Sequence, residues 1–369
     1  MYCRRNLRSS GLLRKLFMIT SPYPPRSLSL SKCQRGNFPM LLLVFLVLIL
    51  FFGCNRKPSA AFDDSIGIRI NRFDSIFFQW VDKDDPVSLQ ALISDYPQML
   101  GLLGKSLFQT NEPDSSVFFD NLKRYYSEPT LKSLYKDALT LYATGSPATK
   151  QIEKECAYGF RRLKELFPSL QIPHIYMHVS GLQQNMIVAD RLLSFSIDKY
   201  MGAGYPLYDQ FFYDYQRKNM TPGCVAKDGL YAWLTSEYPY PAKERVLLDK
   251  MIYEGKILYI LVQAGYGYSY QRLMQLTDSE YKWCLKYESA LWKTLIERKL
   301  LNTSEEITIS KYFSPAPSTF IVEDAPGNIG QFIGYRIVSR YMKQTKSTCE
   351  DLMRNNNTQE ILQKSKYKP

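Results

Sequence analysis

LLDKMIYEGKILYILV, residues 247–262, has the hydrophobic pattern of an α-helix with one apolar face. Five of its residues recur at steps of four, three, four and three positions, which places them on one face of an α-helix. They are Leu247, Met251, Glu254, Leu258 and Leu261. An isolated buried charge is too costly to leave unpaired. The carboxylate of Glu254 is therefore expected to be paired, hydrogen-bonded or protonated.

A second stretch, NIGQFIGYRIVSRYMK at about 328–343, predicts the helix that packs against the first. Gly330 and Gly334 lie one turn apart, so a neighbouring helix can approach closely. Arg336 and Arg340 share a common face of this helix. We expect Glu254 to pair with one of its basic residues, with Arg336 as the first candidate.

The remaining sequence predicts an α+β fold that is predominantly α-helical with a small β-sheet. Alternating isoleucines in 66–74, and β-branched and aromatic residues in 171–179 and 186–198, favour strands. Between the first two of these stretches the chain is expected to be helical, with four breaks that contain proline. The breaks lie at Pro97, Pro113, Pro129 and Pro147. After Tyr205 the chain is again expected to be mostly helical.

Two short motifs are candidates for a nucleotide-binding site and a metal site. GLLGKS, 101–106, contains the Gly-Lys-Ser of a nucleotide-binding P-loop, but Met99 stands where that motif needs its first glycine. A helix end is the better interpretation. His174 and His178 lie four residues apart and, on a strand, project from the same face. Because no Asp, Glu or Cys accompanies them, structural histidines are expected, with no metal and no cofactor.

The N-terminal segment predicts export and lipid anchoring. Eight basic residues and no acidic one fall within 1–53, and the apolar run Met40–Phe52 has only 13 residues. A bilayer-spanning helix needs about 20, so this run is typical of a secretory signal. The run ends at Gly53-Cys54 and resembles a bacterial lipoprotein signal, in which the cysteine is acylated and becomes the first mature residue.

We therefore predict three regions: a signal peptide at 1–53, with Met18 as an alternative start, a lipidated tether at 54–65 and one globular α-rich domain at 66–369. Cys54 is the predicted lipid attachment site. Asn55, in place of Asp, favours the outer membrane, with the domain facing the periplasm. Without the signal the chain keeps 39 basic and 35 acidic residues, a net charge of +4. This balance gives no indication of nucleic-acid binding.

Four cysteines lie beyond residue 54, at least 60 residues apart and without a Cys-x-x-Cys motif. They are Cys156, Cys224, Cys284 and Cys349. This spacing does not indicate a metal or thioredoxin-like site. Two disulfides and four buried thiols both remain open at this point.

Several stretches, taken in order, carry a family resemblance. They are the Gly-Cys signal, IRINRFDSIFF (68–78), DKMIYEGKILY (249–259), PAP (315–317), APGNIGQFIGYRIVSRYM (325–342) and SKYKP (365–369). In combination they resemble the gliding motility lipoprotein GldB of the Bacteroidetes. The resemblance implies a lipoprotein of the cell envelope that works beside the gliding and associated protein-secretion machinery, with envelope proteins as partners.

The same helices also resemble, distantly, zincin metallopeptidases, in which a His-Glu-x-x-His helix precedes a helix with a glutamate ligand. Glu254-Gly255 would supply that glutamate. The preceding helix, PGCVAKDGLYAWLTSEY at 222–238, contains no histidine, so the zinc ligands cannot be assembled. We therefore expect a non-catalytic scaffold or accessory component. The alternatives are a periplasmic peptide- or glycan-binding module with a Tyr-lined groove between the two helices, and a divergent hydrolase related to the zincins.

Overall fold

The computed structural model describes residues 67–108, 116–241, 246–265, 267–315, 321 and 325–369. The predicted signal peptide, Cys54 and the tether lie outside these described residues. The described chain falls within one unit, Asp63–Pro369. None of its described helices combines the length and apolar character needed to cross a bilayer.

A four-stranded mixed sheet lies in the first half of this unit, with the strand order β1-β2-β4-β3. The strands are β1 Ile70–Asn71, β2 His174–His178, β3 Met186–Ala189 and β4 Leu192–Ser196. Strand β2 runs parallel to both β1 and β4, and β3 pairs antiparallel with β4. Ile175 lies opposite Ile70 on one side and Leu193 on the other. All five residues of β4 are buried, as expected for a strand with a neighbour on each edge.

The strand predicted at 66–74 is much shorter than its sequence pattern indicated. Only Ile70 and Asn71 pair with β2, and a helix begins at Phe73. Phe73, Phe77 and Val81 are buried at intervals of four residues. This helical spacing of large apolar side chains overrides the preceding alternation.

Among the described residues, six helices lie between β1 and β2 in the chain. They are α1 Phe73–Lys83, α2 Pro86–Asp95, α3 Pro97–Phe108, α4 Ser116–Tyr126, α5 Pro129–Leu141 and α6 Pro147–Leu166. The break predicted at Pro113 lies outside the described residues. The breaks predicted at Pro97, Pro129 and Pro147 are confirmed, and a further break occurs at Pro86. Each of these prolines is the first residue of a helix, where its missing N–H leaves no hydrogen bond unmade.

The part of the chain that the structure describes contains nine further helices after the sheet, in agreement with the prediction for the region after Tyr205. They are α7 Asp214–Arg217, α8 Val225–Glu237, α9 Leu247–Ala264, α10 Tyr270–Leu273, α11 Asp278–Glu297, α12 Glu306–Tyr312, α13 Ile329–Thr345, α14 Cys349–Arg354 and α15 Thr358–Ser365. Short 3-10 turns occupy Ile197–Tyr200, Pro206–Gln210, Pro222–Cys224 and Leu300–Asn302. The fold is therefore mostly helical with a small mixed sheet.

The helix predicted at 247–262 is α9, and it lies at the centre of the second half of the unit. Leu247, Met251, Ile257 and Leu261 are each fully buried. Its most extensive neighbour is α13. The prediction that α13 offers a close approach is confirmed at Gly334, where an added Cβ would lie 1.7 Å from the carbonyl oxygen of Met251.

The two stretches that contain possible chemical motifs lie in regular secondary structure, 101–106 in helix α3 and 174–178 in strand β2. GLLGKS lies inside helix α3, where a Cβ on Gly104 would overlap the ring of Phe118. His178 is fully buried, with its Nδ1 2.7 Å from the Ser194 hydroxyl oxygen. Burial lowers the pKa of His178 to about 3, so its ring is neutral. His174, by contrast, is exposed at the start of β2.

The four described cysteines are free thiols and all are buried. They form no disulfide, so the second of the two alternatives left open by the sequence is the one found. Burial raises the pKa of Cys156, and the same cause raises the pKa of Cys284 to about 12. These thiols are therefore uncharged core residues at neutral pH.

Candidate functional site

Glu254 brings together side chains from three helices. Its Oε2 atom accepts a hydrogen bond from the hydroxyl of Tyr231 on α8 at 2.8 Å and another from Nε2 of Gln331 on α13 at 3.0 Å. The carboxylate is partly buried. The expectation that Glu254 has a partner is confirmed, because its carboxylate accepts hydrogen bonds from Tyr231 and Gln331.

The predicted Glu254–Arg336 pair is wrong. Nε of Arg336 lies 2.8 Å from Oε1 of Glu288 on α11, and the Tyr367 hydroxyl donates to the same oxygen at 2.8 Å. Residues 331 and 336 of α13 are separated by five positions, which is about 140° around a helix. Gln331 therefore faces α9 while Arg336 faces α11. The sequence indicated the correct helix for Glu254 but the wrong residue on it.

A cavity of about 280 Å³ adjoins this hydrogen-bonded group. Its polar lining residues are Asn219, Lys227, Asp228, Tyr231, Asn328 and Gln331. Its apolar lining residues are Leu258, Leu261, Leu273 and Met274. Oε1 of Gln331 is buried and accepts no hydrogen bond from the described residues. The cavity thus combines a polar wall from α8 and α13 with an apolar wall from α9 and the α10 segment.

An ion pair occupies one side of this cavity. Nζ of Lys227 lies 2.6 Å from Oδ1 of Asp228, and the Tyr200 hydroxyl donates to Oδ2 of Asp228 at 3.0 Å. Lys227 is only 9% exposed. Burial lowers its pKa, but the Asp228 carboxylate outweighs burial and raises the pKa above the ordinary lysine value. Lys227 is therefore charged, and Asp228 neutralises it.

Lys227, Asp228 and Tyr231 have the spacing of a His-Glu-x-x-His motif. Lys227 and Tyr231 stand one helical turn apart at the two histidine positions, and Tyr231 contacts Glu254 on the next long helix. An ammonium and a phenol do not replace two neutral imidazoles, and a fixed ammonium repels a metal cation. Among the described residues, no group of three or more His, Cys, Asp and Glu side chains is arranged to hold a metal. The donor set does not fit zinc.

The sequence analysis identified the absence of histidine from this helix. It did not identify Lys227 and Tyr231, which have the spacing of the two motif histidines. The spacing from Lys227 to Tyr231 was visible in the sequence. The contact between Tyr231 and Glu254 was not, because 23 residues separate them along the chain.

The expected Tyr-lined groove between the two helices stays a prediction, and at Gly255 and Gly334 the backbones of α9 and α13 are in direct contact. A cavity of about 640 Å³ lies elsewhere, where the end of α8 and the α14–α15 segment meet α9. Three tyrosines line it, and the ring centroids of Tyr240 and Tyr253 are 5.0 Å apart. The hydroxyl of Tyr253 donates to the carbonyl of Tyr238 at 2.9 Å.

The fold and the site define a mostly helical protein with a small mixed sheet and a hydrogen-bonded polar cluster beneath a small cavity. The family model described as "Gliding motility protein GldB" matches residues 54–369. The chain belongs to this family of gliding motility lipoproteins. Neither a curated protein nor a solved structure matches it. The zincin analogy therefore stays a hypothesis.

Proposed function

We propose that this protein is a lipid-anchored, non-catalytic scaffold or accessory component of the gliding and secretion machinery in the cell envelope. Membership of the family supports the gliding context, and the family match begins at Cys54, the residue predicted to carry the lipid. On this proposal the acyl chains hold the domain at the outer membrane facing the periplasm, and its partners are envelope proteins.

The observation that carries the non-catalytic part is the Lys227–Asp228 ion pair. A hydrolytic site of the zincin type needs a metal cation and a carboxylate free to activate water. Here the ammonium of Lys227 provides the positive charge, and Asp228 is held by that ammonium and by Tyr200. Glu254 is held by Tyr231 and Gln331. Both carboxylates already accept hydrogen bonds from protein groups, which supports a structural role.

The phenol of Tyr231 supports the same interpretation. Burial raises its pKa, and the adjoining Glu254 carboxylate raises it further. Tyr231 therefore remains a hydrogen-bond donor across the physiological pH range. The alternative of a divergent hydrolase has no specific observation in its favour. The alternative of a peptide- or glycan-binding module is favoured by the tyrosine-lined cavity at the end of α8.

Complementation with Glu254→Gln tests the absence of catalysis. The amide oxygen still accepts hydrogen bonds from Tyr231 and Gln331, but it is not a base. If the protein is a scaffold, we expect the Glu254→Gln variant to restore gliding or secretion to the wild-type level in a strain that lacks the gene. Loss of the phenotype, with normal protein abundance and melting temperature, would contradict the proposal.

Metabolic labelling with an alkyne fatty acid tests the anchor. We expect the wild-type protein to be labelled and Cys54→Ala to lose the label. Cys33→Ala is the matched control, because Cys33 lies within the predicted signal peptide, and it is expected to label normally. Label retained in Cys54→Ala would refute the attachment site. Crosslinking from the labelled membranes then identifies the envelope partners, and the absence of any gliding or secretion protein there would argue against the assigned context.

A further inference from the structure

Lys256 is a buried lysine on the wall of the 640 Å³ cavity. It is 4% exposed, and its Nζ donates to the backbone carbonyl of Asn355 between α14 and α15. Residues 254 and 256 lie about 200° apart around α9. Lys256 therefore faces a different side of the helix from Glu254, and this cavity is distinct from the smaller one described above.

The ammonium of Lys256 forms no ion pair within the described residues, unlike that of Lys227. Burial lowers its pKa to about 8, and no carboxylate among the described residues offsets this effect. Asp249 lies two turns earlier on the same helix, and its oxygens accept hydrogen bonds from Thr358 and from the backbone of Val246. Glu237 lies exposed at the rim. The nearest acidic residues of the cavity are therefore engaged elsewhere or face solvent.

A buried ammonium with a single carbonyl partner lowers the stability of the fold. A methionine of similar length could occupy the same space without this penalty. Within the described residues, the lysine thus places a positive charge that has no carboxylate partner on the wall of this cavity, where a bound anionic group can reach it.

The tyrosines on the wall of the cavity indicate which uncharged group of a ligand would fit there. Tyr238, Tyr240 and Tyr253 are each half-buried there, beside Pro239 and Pro241. Flat aromatic faces of this kind favour an aromatic ring, which packs in offset or edge-to-face geometry.

The charges indicate the anionic group of the ligand. Glu237 and Asp249 also line the cavity, so a doubly charged group such as phosphate meets more repulsion than a carboxylate does. One ammonium, with the neutral side chains of Asn356 and Thr358, matches a single negative charge. Two of the phenols are neutral at physiological pH, because burial raises the pKa of Tyr253 to about 12 and also raises that of Tyr238.

We propose that this cavity binds the carboxylate of an aromatic ligand, with the carboxylate paired to Lys256 and the ring against the tyrosines. A free aromatic acid and the carboxyl terminus of a peptide that ends in an aromatic residue share this chemistry. The site goes beyond the proposed scaffold function, which needs no ligand.

Calorimetry on the full mature lipoprotein in detergent tests the proposal with N-acetyl-phenylalanine and its neutral amide as probes. We expect the acid to bind at least tenfold more tightly than the amide. Lys256→Met is expected to abolish this preference. Lys250→Met is the matched control on the same helix, since Nζ of Lys250 lies over the ring of Phe313 at 4.5 Å, and it is expected to retain the preference. Equal affinities for the two probes, or no binding of either, overturn the proposal.

A third probe, Gly-Gly-Phe with a free carboxylate, distinguishes the two sources of the ligand. Tighter binding of the tripeptide than of N-acetyl-phenylalanine assigns the site to a peptide terminus, whereas tighter binding of the acetylated amino acid assigns it to a small acid.

Thermal unfolding separates this role from a purely structural one. Without ligand, Lys256→Met is expected to melt at a higher temperature than the wild type, because it removes the unpaired ammonium. A lower melting temperature of Lys256→Met, combined with no preference of the wild type for the acid, would overturn the proposal. Lys256 would then only stabilise the fold through its hydrogen bond to the Asn355 carbonyl. If the methionine variant fails to fold, Lys256→Gln provides the same comparison.

Discussion

Gly255 of α9 and Gly334 of α13 bring the backbones of the two helices into direct contact. A Cβ added to Gly255 would lie 2.3 Å from both the carbonyl carbon and the carbonyl oxygen of Gly334. No real Cβ makes so short a contact with backbone, so only glycine permits this packing distance. Because Glu254 precedes Gly255, the same contact sets how close Glu254 comes to Gln331 of α13.

Gly255→Ala is expected to destabilise the fold by about 1–3 kcal/mol, the usual range for overpacking a close-packed core. Chemical denaturation measures the change. Gly204→Ala is the control, since Gly204 is exposed and a Cβ there would meet no atom within 4 Å. Similar stability of the two variants would show that α9 and α13 separate at little cost.

The Glu288–Arg336 ion pair is expected to stabilise the attachment of the C-terminal segment. The Glu288 side chain is 7% exposed, and it accepts hydrogen bonds from Arg336 and from Tyr367. Arg336→Met would leave this carboxylate with Tyr367 alone. Because the Arg336 side chain is 39% exposed, water screens the pair, and we expect a loss of about 1–2 kcal/mol.

Adding Glu288→Gln to Arg336→Met should recover part of this loss, because the uncompensated carboxylate is then removed. Arg340→Met is the control on the same helix, as Arg340 contacts only backbone carbonyls of Lys366 and Lys368 among its described hydrogen bonds. Unfolding by urea is measured for the wild type, Arg336→Met, Glu288→Gln, the double variant and Arg340→Met, and additivity of the two substitutions would argue against the pair.

Lys256 is expected to make stability rise with pH above about 8. In the unfolded chain lysine titrates near 10.4, whereas burial lowers the pKa of Lys256 to about 8 in the fold. Between these values the unfolded state binds more protons, so the free energy of unfolding increases, by about 2 kcal/mol at pH 9.5.

The buried thiols act in the opposite direction, since burial raises the pKa of Cys156 and Cys284. The quantity to measure is therefore the difference between wild type and Lys256→Met, in which the thiol contributions cancel. This difference should shrink from pH 7 to pH 9.5. A constant difference would mean that the ammonium of Lys256 is solvated.

A designed zinc site tests the zincin analogy. The triple variant Lys227→His, Asp228→Glu and Tyr231→His restores a His-Glu-x-x-His motif one helix before Glu254. If the helices have zincin geometry, this variant should bind one zinc ion at least tenfold more tightly than the wild type, as measured by a chelator competition assay.

Adding Glu254→Ala to the triple variant should weaken zinc binding, because the third protein ligand is lost. Unchanged affinity would show that the two histidines bind zinc without Glu254. A folded triple variant with no gain over the wild type would refute the analogy.

Local periodicity explains which parts of the fold were predictable. Helix α9, the strand-forming stretches 171–179 and 186–198, and most proline breaks follow from patterns within fewer than about 20 residues. The first strand was overestimated because Phe73, Phe77 and Val81 begin a helical pattern directly after the alternation. At the site, the requirement that Glu254 be satisfied was predictable from its apolar neighbours.

The sequence by itself determined the secondary-structure pattern, the family and the need for a partner at Glu254, because each is encoded in short-range spacing or in the ordered motifs. The tertiary structure alone decided that Tyr231 and Gln331 are those partners, that Arg336 pairs with Glu288, and that Lys256 lies beside a cavity with no ion-pair partner among the described residues. These contacts join residues far apart in the chain, and their geometry depends on helix rotation and packing distance, which hydrophobic spacing does not specify.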